Sequence, residues 1–266
     1  MGLPAPSEEG TALVTGASSG IGEAIARELA SRGYALTLVA RREDRLKALA
    51  EELSEDGVTA ETATADLGAP GQRERLATAL DKTGRSVDIL VNNAGFGAHG
   101  EFTRVERERL TEMVRVNCEA VVDLTGYFLP GMVERGEGAV INVASVASFQ
   151  PLPGSATYAA TKAFVLSLSE AVRTEVQNRG VTVTAVCPGP VRTEFPEAAG
   201  MGAVEDRTPG IVWMSAEDVA RDAVDGAARG KRVVVPGTLN RLQSLAGQHS
   251  PRSVLLPLAN RIWKNV

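Results

Sequence analysis

Tyr158-Ala159-Ala160-Thr161-Lys162 sets a phenol and an ammonium four residues apart. On a helix those two side chains share a face. A free tyrosine titrates at about 10, and a neighbouring cation favours its phenolate. Such a pair can exchange a proton with a carbonyl or alcohol oxygen near neutral pH. Alone, Tyr-x3-Lys is a weak motif, common on exposed helices. Two further residues give it context. Ser145 follows the apolar run Ile141-Asn142-Val143-Ala144, where a hydroxyl can orient or stabilise a reacting oxygen. Asn117 sits within Val116-Asn117-Cys118, in a long helical stretch.

A second cluster lies near the start. Thr15-Gly16-Ala17-Ser18-Ser19-Gly20-Ile21-Gly22 joins an apolar run to a helical one. Glycine allows close backbone approaches that a Cβ blocks. A helix N-terminus offers unpaired N–H groups and partial positive charge, which suit a pyrophosphate. The next β-like run ends Leu38-Val39-Ala40-Arg41-Arg42. NAD-selective dinucleotide folds carry an acid about 20 positions beyond the glycines, for the ribose 2′-hydroxyl. Here Arg41 and Arg42 stand instead, and a guanidinium fork fits a 2′-phosphate. The alternative is a solvated pair balanced by Glu43 and Asp44.

With its glycines spaced Gly-x3-Gly-x-Gly, the octet resembles the fingerprint of the short-chain dehydrogenases/reductases. The resemblance runs from about Thr11 to Val235, nearly the whole domain. It implies that Gly16, Ser18, Ser19, Gly20 and Ile21 meet the cofactor. Asp66 and the Leu67 N–H would face the adenine. Asn92-Asn93-Ala94-Gly95 resembles the element that braces the sheet and lines the cofactor channel, with Asn93 nearer the cofactor and Asn92 more structural. Pro188, Gly189, Val191 and Thr193 resemble the turn that approaches the nicotinamide amide. Asn117, Ser145, Tyr158 and Lys162 stand in the family's catalytic order. Asn117 would hold a water in a proton relay toward Lys162. Lys162 would lower the Tyr158 pKa and bind the nicotinamide ribose. Ser145 would bond the substrate oxygen, and Tyr158 would protonate the alkoxide as NADPH delivers hydride. The expected cofactor is NADP(H). The expected activity is interconversion of a ketone or aldehyde with an alcohol. A catalytically lapsed nucleotide-binding regulator and an NADP-dependent epimerase are the alternatives. The intact tetrad argues against the first. The compact length argues against the second.

The elements that must position these residues follow a βαβ rhythm. Strands are predicted at 12–15, 35–40, 59–65, 89–92, 139–144, 182–187 and 232–235, and helices at 22–32, 43–55, 70–83, 104–131, 156–179 and 216–229. That alternation specifies an α/β fold: a Rossmann-type, doubly wound parallel sheet of about seven strands in one domain. The motifs fall mainly after strands, at the carboxyl edge where such sheets bind ligands. Residues 1–10 read as a flexible tail and 11–235 as the catalytic domain. The Gly/Pro-interrupted 192–215 reads as a substrate-covering loop, mobile at Glu197-Ala198-Ala199-Gly200. Phe195, Met201, Val204, Trp213, Phe96, His99, Phe149, Gln150 and Leu152 are pocket candidates.

The chain has 266 residues and a net charge of −5, without the basic footprint of a nucleic-acid binder. Cys118 and Cys187 make no disulfide framework, and His99 and His249 are isolated, so no metal site is expected. The start MGLPAPSEEG lacks the basic and apolar regions of a signal peptide. No apolar run is long enough to span a bilayer. A cytoplasmic protein is expected, and by resemblance a homodimer or homotetramer. Residues 236–266 carry Arg241, Arg252, Arg261 and Lys264 with no acid. Leu255, Leu258, Ala259 and Ile262 recur there at helical spacing, interrupted by Pro257. This basic amphipathic extension is expected to pack on the domain or a partner subunit, with contact to a membrane surface as the lesser reading.

Overall fold

The computed structural model describes residues 2–200 and 210–264; side chains at 258 and 262–264 are outside that set. Seven strands form one parallel sheet: β1 (Gly10–Thr15), β2 (Leu36–Ala40), β3 (Ala60–Thr64), β4 (Ser86–Asn92), β5 (Gly138–Val143), β6 (Val181–Val186) and β7 (Val233–Val234). Their order is β3-β2-β1-β4-β5-β6-β7. The reversal beside β1 is the switch point of a doubly wound sheet. Among the described residues the helices are α1 (Gly20–Ser31), α2 (Glu43–Glu55), α3 (Pro70–Thr83), α4 (Arg107–Val114), α5 (Ala120–Arg135), α6 (Ala156–Val176), α7 (Phe195–Ala198), α8 (Ala216–Ala228), α9 (Thr238–His249) and α10 (Arg252–Lys264).

Alternate strand residues feed opposite faces of the sheet. Ala12, Val14, Leu38, Ile89, Val91 and Ile141 pack against α1, α2 and α8. Leu13, Val39, Leu90 and Val140 pack against α3 and α5. A strand buried on both faces must be apolar at nearly every position, and β1, β2, β5 and β6 are buried throughout. The edge strand β3, with its polar sequence AETAT, is half-exposed.

Four expectations change. The helix predicted at 104–131 is α4, a five-residue π turn at Arg115–Glu119, and α5. The Ala120 N–H donates to the Arg115 carbonyl, five residues back, where a regular helix reaches four. α5 also passes through Pro130 and ends at Gly136, whose φ of 68° gives a left-handed cap. Residues 2–10 are not a loose tail. Pro4 is buried, and its carbonyl accepts the Tyr34 hydroxyl at 2.6 Å. Gly10 already belongs to β1.

The expected mobile stretch at 197–200 is pinned. The Ala199 carbonyl accepts the His99 N–H at 2.9 Å, and the Ala198 carbonyl accepts Arg109 Nη2 at 2.8 Å. In the extension, the helix break falls at Ser250-Pro251, and Pro257 lies inside α10. Met201 and Val204 lie outside the described residues. Among the described residues no helix is long and apolar enough to cross a membrane.

Candidate active site

The glycine turn leaves β1 at Gly16 (φ 68°) and enters α1 at Gly20 (φ 60°), both in the left-handed region. A Cβ on Gly22 would lie 2.3 Å from Asn93 Nδ2 and from the Gly16 carbonyl oxygen, so the turn closes only around glycine. Thr15, the first residue of the motif, holds its far side. Its Oγ1 accepts the N–H groups of Asn93 at 2.9 Å and Ala94 at 3.0 Å, and Asn93 Nδ2 donates to the Thr15 carbonyl at 2.9 Å. Asn93 therefore ties the end of β4 to the turn. Asn92 braces the sheet, donating to Asn142 Oδ1 at 2.9 Å and Thr125 Oγ1 at 3.1 Å. Half-buried Ile21 packs against the core at the start of α1.

The two arginines separate. Arg42 Nη2 donates to Ser19 Oγ at 2.6 Å, and its Nε donates to Ser18 Oγ at 3.1 Å. Arg42 thus lies on the turn. The Arg41 side chain is 67 % exposed, with Glu112 3.8 Å away. Successive residues at a strand end point apart, and only the second faces the glycines. Arg45, one helical turn on, joins Arg42: both bind Glu194, at 2.6 and 2.8 Å. These guanidinium groups hold the Glu194 carboxyl below its usual range.

Asp66 folds back on its own loop, its Oδ1 accepting the Gly68 N–H at 2.9 Å. The buried Leu67 lends its carbonyl to Arg73 at 2.7 Å. Ser19 makes no capping bond to α1, which leaves the first-turn N–H groups of that helix for an anion. Positive-φ glycines, an uncapped helix start and convergent Arg, Ser and Ser side chains together fit a phosphate-bearing dinucleotide.

Asn117, Ser145, Tyr158 and Lys162 come together at the carboxyl ends of β4 and β5. The π turn carries Asn117 inward until 1 % is exposed. Its Nδ2 donates to the Phe96 carbonyl at 3.0 Å and to Thr161 Oγ1 at 3.1 Å, while its Oδ1 accepts the Phe96 N–H at 3.1 Å. Both amide protons are engaged, so the side chain braces the 94–96 loop. A Cβ on Gly95 would stand 3.0 Å from Asn117 Oδ1 and 3.5 Å from Lys162 Nζ.

Ser145 caps a short 3-10 turn (Val146–Phe149). Its Oγ accepts the Ala147 N–H at 3.1 Å, which leaves the O–H as a donor. Lys162 Nζ donates to the Val143 carbonyl at 2.7 Å and lies 5.9 Å from the centre of the Tyr158 ring. Burial pushes Lys162 down to about 8, partly offset by the Cys118 and Cys187 thiols. Burial pushes Tyr158 up to about 12, although a bond with Ser145 pulls it back. The expected lowering of the Tyr158 pKa is therefore not the outcome here: burial dominates over the bond with Ser145.

Pro188 and Gly189 follow β6, with the Pro188 carbonyl accepting the Val146 N–H at 2.9 Å. Val191 bridges to Met214, and the Thr193 methyl packs beside Gly20. Phe195 lies against Tyr158, ring centres 5.5 Å apart. Of the other pocket candidates, Phe96 carries Arg109 at 5.4 Å. His99 meets Ser155 at 3.2 Å, and burial lowers its pKa. Phe149 and Gln150 turn toward α9 and α10. Sequence reasoning missed Arg45 and Glu194, and gave no role of their own to Thr15 and Thr161 inside the quoted motifs. The helical spacing Arg42/Arg45 was a readable signal. Glu194 gave none, because its partners lie some 150 residues away along the chain.

A doubly wound sheet with a glycine turn after its first strand is a nucleotide-binding architecture. The chain belongs to the short chain dehydrogenase family, whose model matches residues 10–201. It is 39 % identical over 217 residues to sulfoacetaldehyde reductase 2 of Chromohalobacter salexigens, across 78 % of this chain and 84 % of that one. It is 39 % identical to the NADP-dependent 3-hydroxy acid dehydrogenase of Salmonella typhi, across 69 % of this chain and 73 % of that one. The structure of a short-chain dehydrogenase from Sphingobium yanoikuyae in complex with NADPH superposes with a TM-score of 0.80 at 36 % identity, covering 93 % of this chain and 95 % of that one. The chain is an oxidoreductase of this family.

Proposed function

We propose that the protein uses NADP(H) to interconvert a ketone or aldehyde with its alcohol, with Tyr158 as the acid/base. The observation that carries this reading is the convergence of Ser145, Tyr158 and Lys162 beside a glycine turn that holds Arg42. The bound nicotinamide supplies or takes up the hydride. Arg42 and Arg45 would hold the 2′-phosphate, replacing Glu194, and the turn with the α1 N-terminus would hold the pyrophosphate. Thr193 and the backbone at 188–191 would hold the nicotinamide end, with Asn93, Ala94 and Gly95 along the channel.

The chain's own chemistry follows from its protonation states. With its pKa pushed up to about 12 by burial, Tyr158 is a phenol at neutral pH and can donate to an alkoxide. Ser145 aims its O–H at the same place and orients the carbonyl oxygen. Lys162, largely protonated at neutral pH, stabilises the phenolate left behind. Asn117 is a positioning residue that fixes the 94–96 loop against Lys162. Exposed Val114, Val122, Tyr127 and Phe164 on α4–α6 support a homodimer or homotetramer, and a cytoplasmic location is consistent with the cysteine usage.

The test is turnover of a carbonyl panel with NADPH and NADH, beside direct titration of both cofactors. We expect NADPH oxidation with at least one carbonyl. Arg42→Ala should weaken NADPH binding by about 10- to 100-fold, the range for a lost charged hydrogen bond, with NADH binding little changed. Tight NADPH binding without turnover of any substrate would instead indicate a lapsed enzyme.

A further inference from the structure

We propose that the outward face of α9, with the basic chain after it, binds the surface of an anionic lipid bilayer. α9 is built inside out. Its buried residues are Asn240, Ser244 and Gly247, which recur on one side of the helix. Leu239, Leu242 and Leu245 recur on the opposite side and are 41 %, 61 % and 47 % exposed. A helix that only packed on its own domain would bury the leucines. The inner side is already fixed: Asn240 lies against Gly189, Gly247 lies against Gln150, and Asn240 Nδ2 donates to the Pro236 carbonyl at 3.2 Å. The leucine face does not serve the fold.

α10 continues the pattern. Val254 is 60 % exposed and Leu256 44 %, and none of its described side chains is buried. From 236 to 266 the chain carries four cations and no acid, within a protein of net charge −5. This composition decides the occupant. If two copies met through this face about a two-fold axis, Arg241 and its neighbours would oppose one another with no carboxylate of this segment between them. A headgroup layer of anionic lipid supplies both the counter-charge and an apolar layer for the leucines.

The experiment is sedimentation of the full-length protein with vesicles of phosphatidylcholine containing phosphatidylglycerol, and with phosphatidylcholine alone. Light scattering gives the mass of each variant in solution. The protein should sediment with the anionic vesicles at low salt and remain largely in solution with the neutral ones. Leu242→Glu/Leu245→Glu should reduce the bound fraction to background, with mass, thermal stability and NADPH affinity unchanged. Arg241→Gln/Arg261→Gln should weaken binding and flatten its dependence on salt. The proposal is overturned if wild-type protein stays in solution with anionic vesicles, or if the leucine variant sediments equally well. A smaller mass for the leucine variant would overturn it in favour of a contact between copies.

Discussion

Burial sets the protonation of Tyr158 and Lys162, and in opposite directions, because each is pushed toward its neutral form. The effect on Lys162 has a measurable consequence for stability. Its amine titrates near 8 when folded and at 10.5 in the reference state. As pH rises through that window the folded chain releases its proton first, while the unfolded chain still binds one. The Lys162 contribution to stability therefore improves between pH 8 and 10.5. Cys118 and Cys187, raised to about 11 and 12, act the other way above pH 9. The difference between wild-type and Lys162→Met melting profiles isolates the lysine. The wild type should gain on the variant as pH rises through this window, and a constant difference would contradict the assignment. Each member of the Asn117, Ser145, Tyr158 and Lys162 set was legible as a residue type in a spacing. Their ionisation was not, because desolvation depends on neighbours such as Val143 and Cys187 that the motif does not specify.

Most element boundaries could be read from strand composition, and the helix at 70–83 was placed as it stands; the end of α5 at Gly136 was not, because the predicted helix stops at 131. The π turn at Arg115–Glu119 could not be read. An inserted helical residue leaves the apolar pattern nearly unchanged, yet it turns Asn117 toward Phe96 and Thr161. The glycine turn shows the same limit. Its three glycines were visible, but their separate reasons were not: φ at Gly16 and Gly20, space at Gly22. Gly22→Ala tests the latter. Overpacking at a closed site costs about 1–3 kcal/mol, so this variant should melt earlier and bind NADPH more weakly. Unchanged melting would mean that Asn93 can move aside.

At the scale of the molecule, the segment returning from β6 connects three sites through consecutive residues. Thr193 packs beside Gly20, Glu194 binds Arg42 and Arg45, and Phe195 covers Tyr158. In the proposed reading a 2′-phosphate would compete with Glu194 for those guanidinium groups. Glu194→Gln should therefore raise NADPH affinity several-fold in a fluorescence titration and leave NADH affinity unchanged; equal effects on both cofactors would remove the competition. The central claim, proton transfer by Tyr158, is tested most directly by Tyr158→Phe. The account predicts that carbonyl reduction falls by about 10²–10⁴-fold, the usual contribution of a positioned acid, with NADPH affinity and melting temperature retained. Near-full reductase activity in that variant would contradict it.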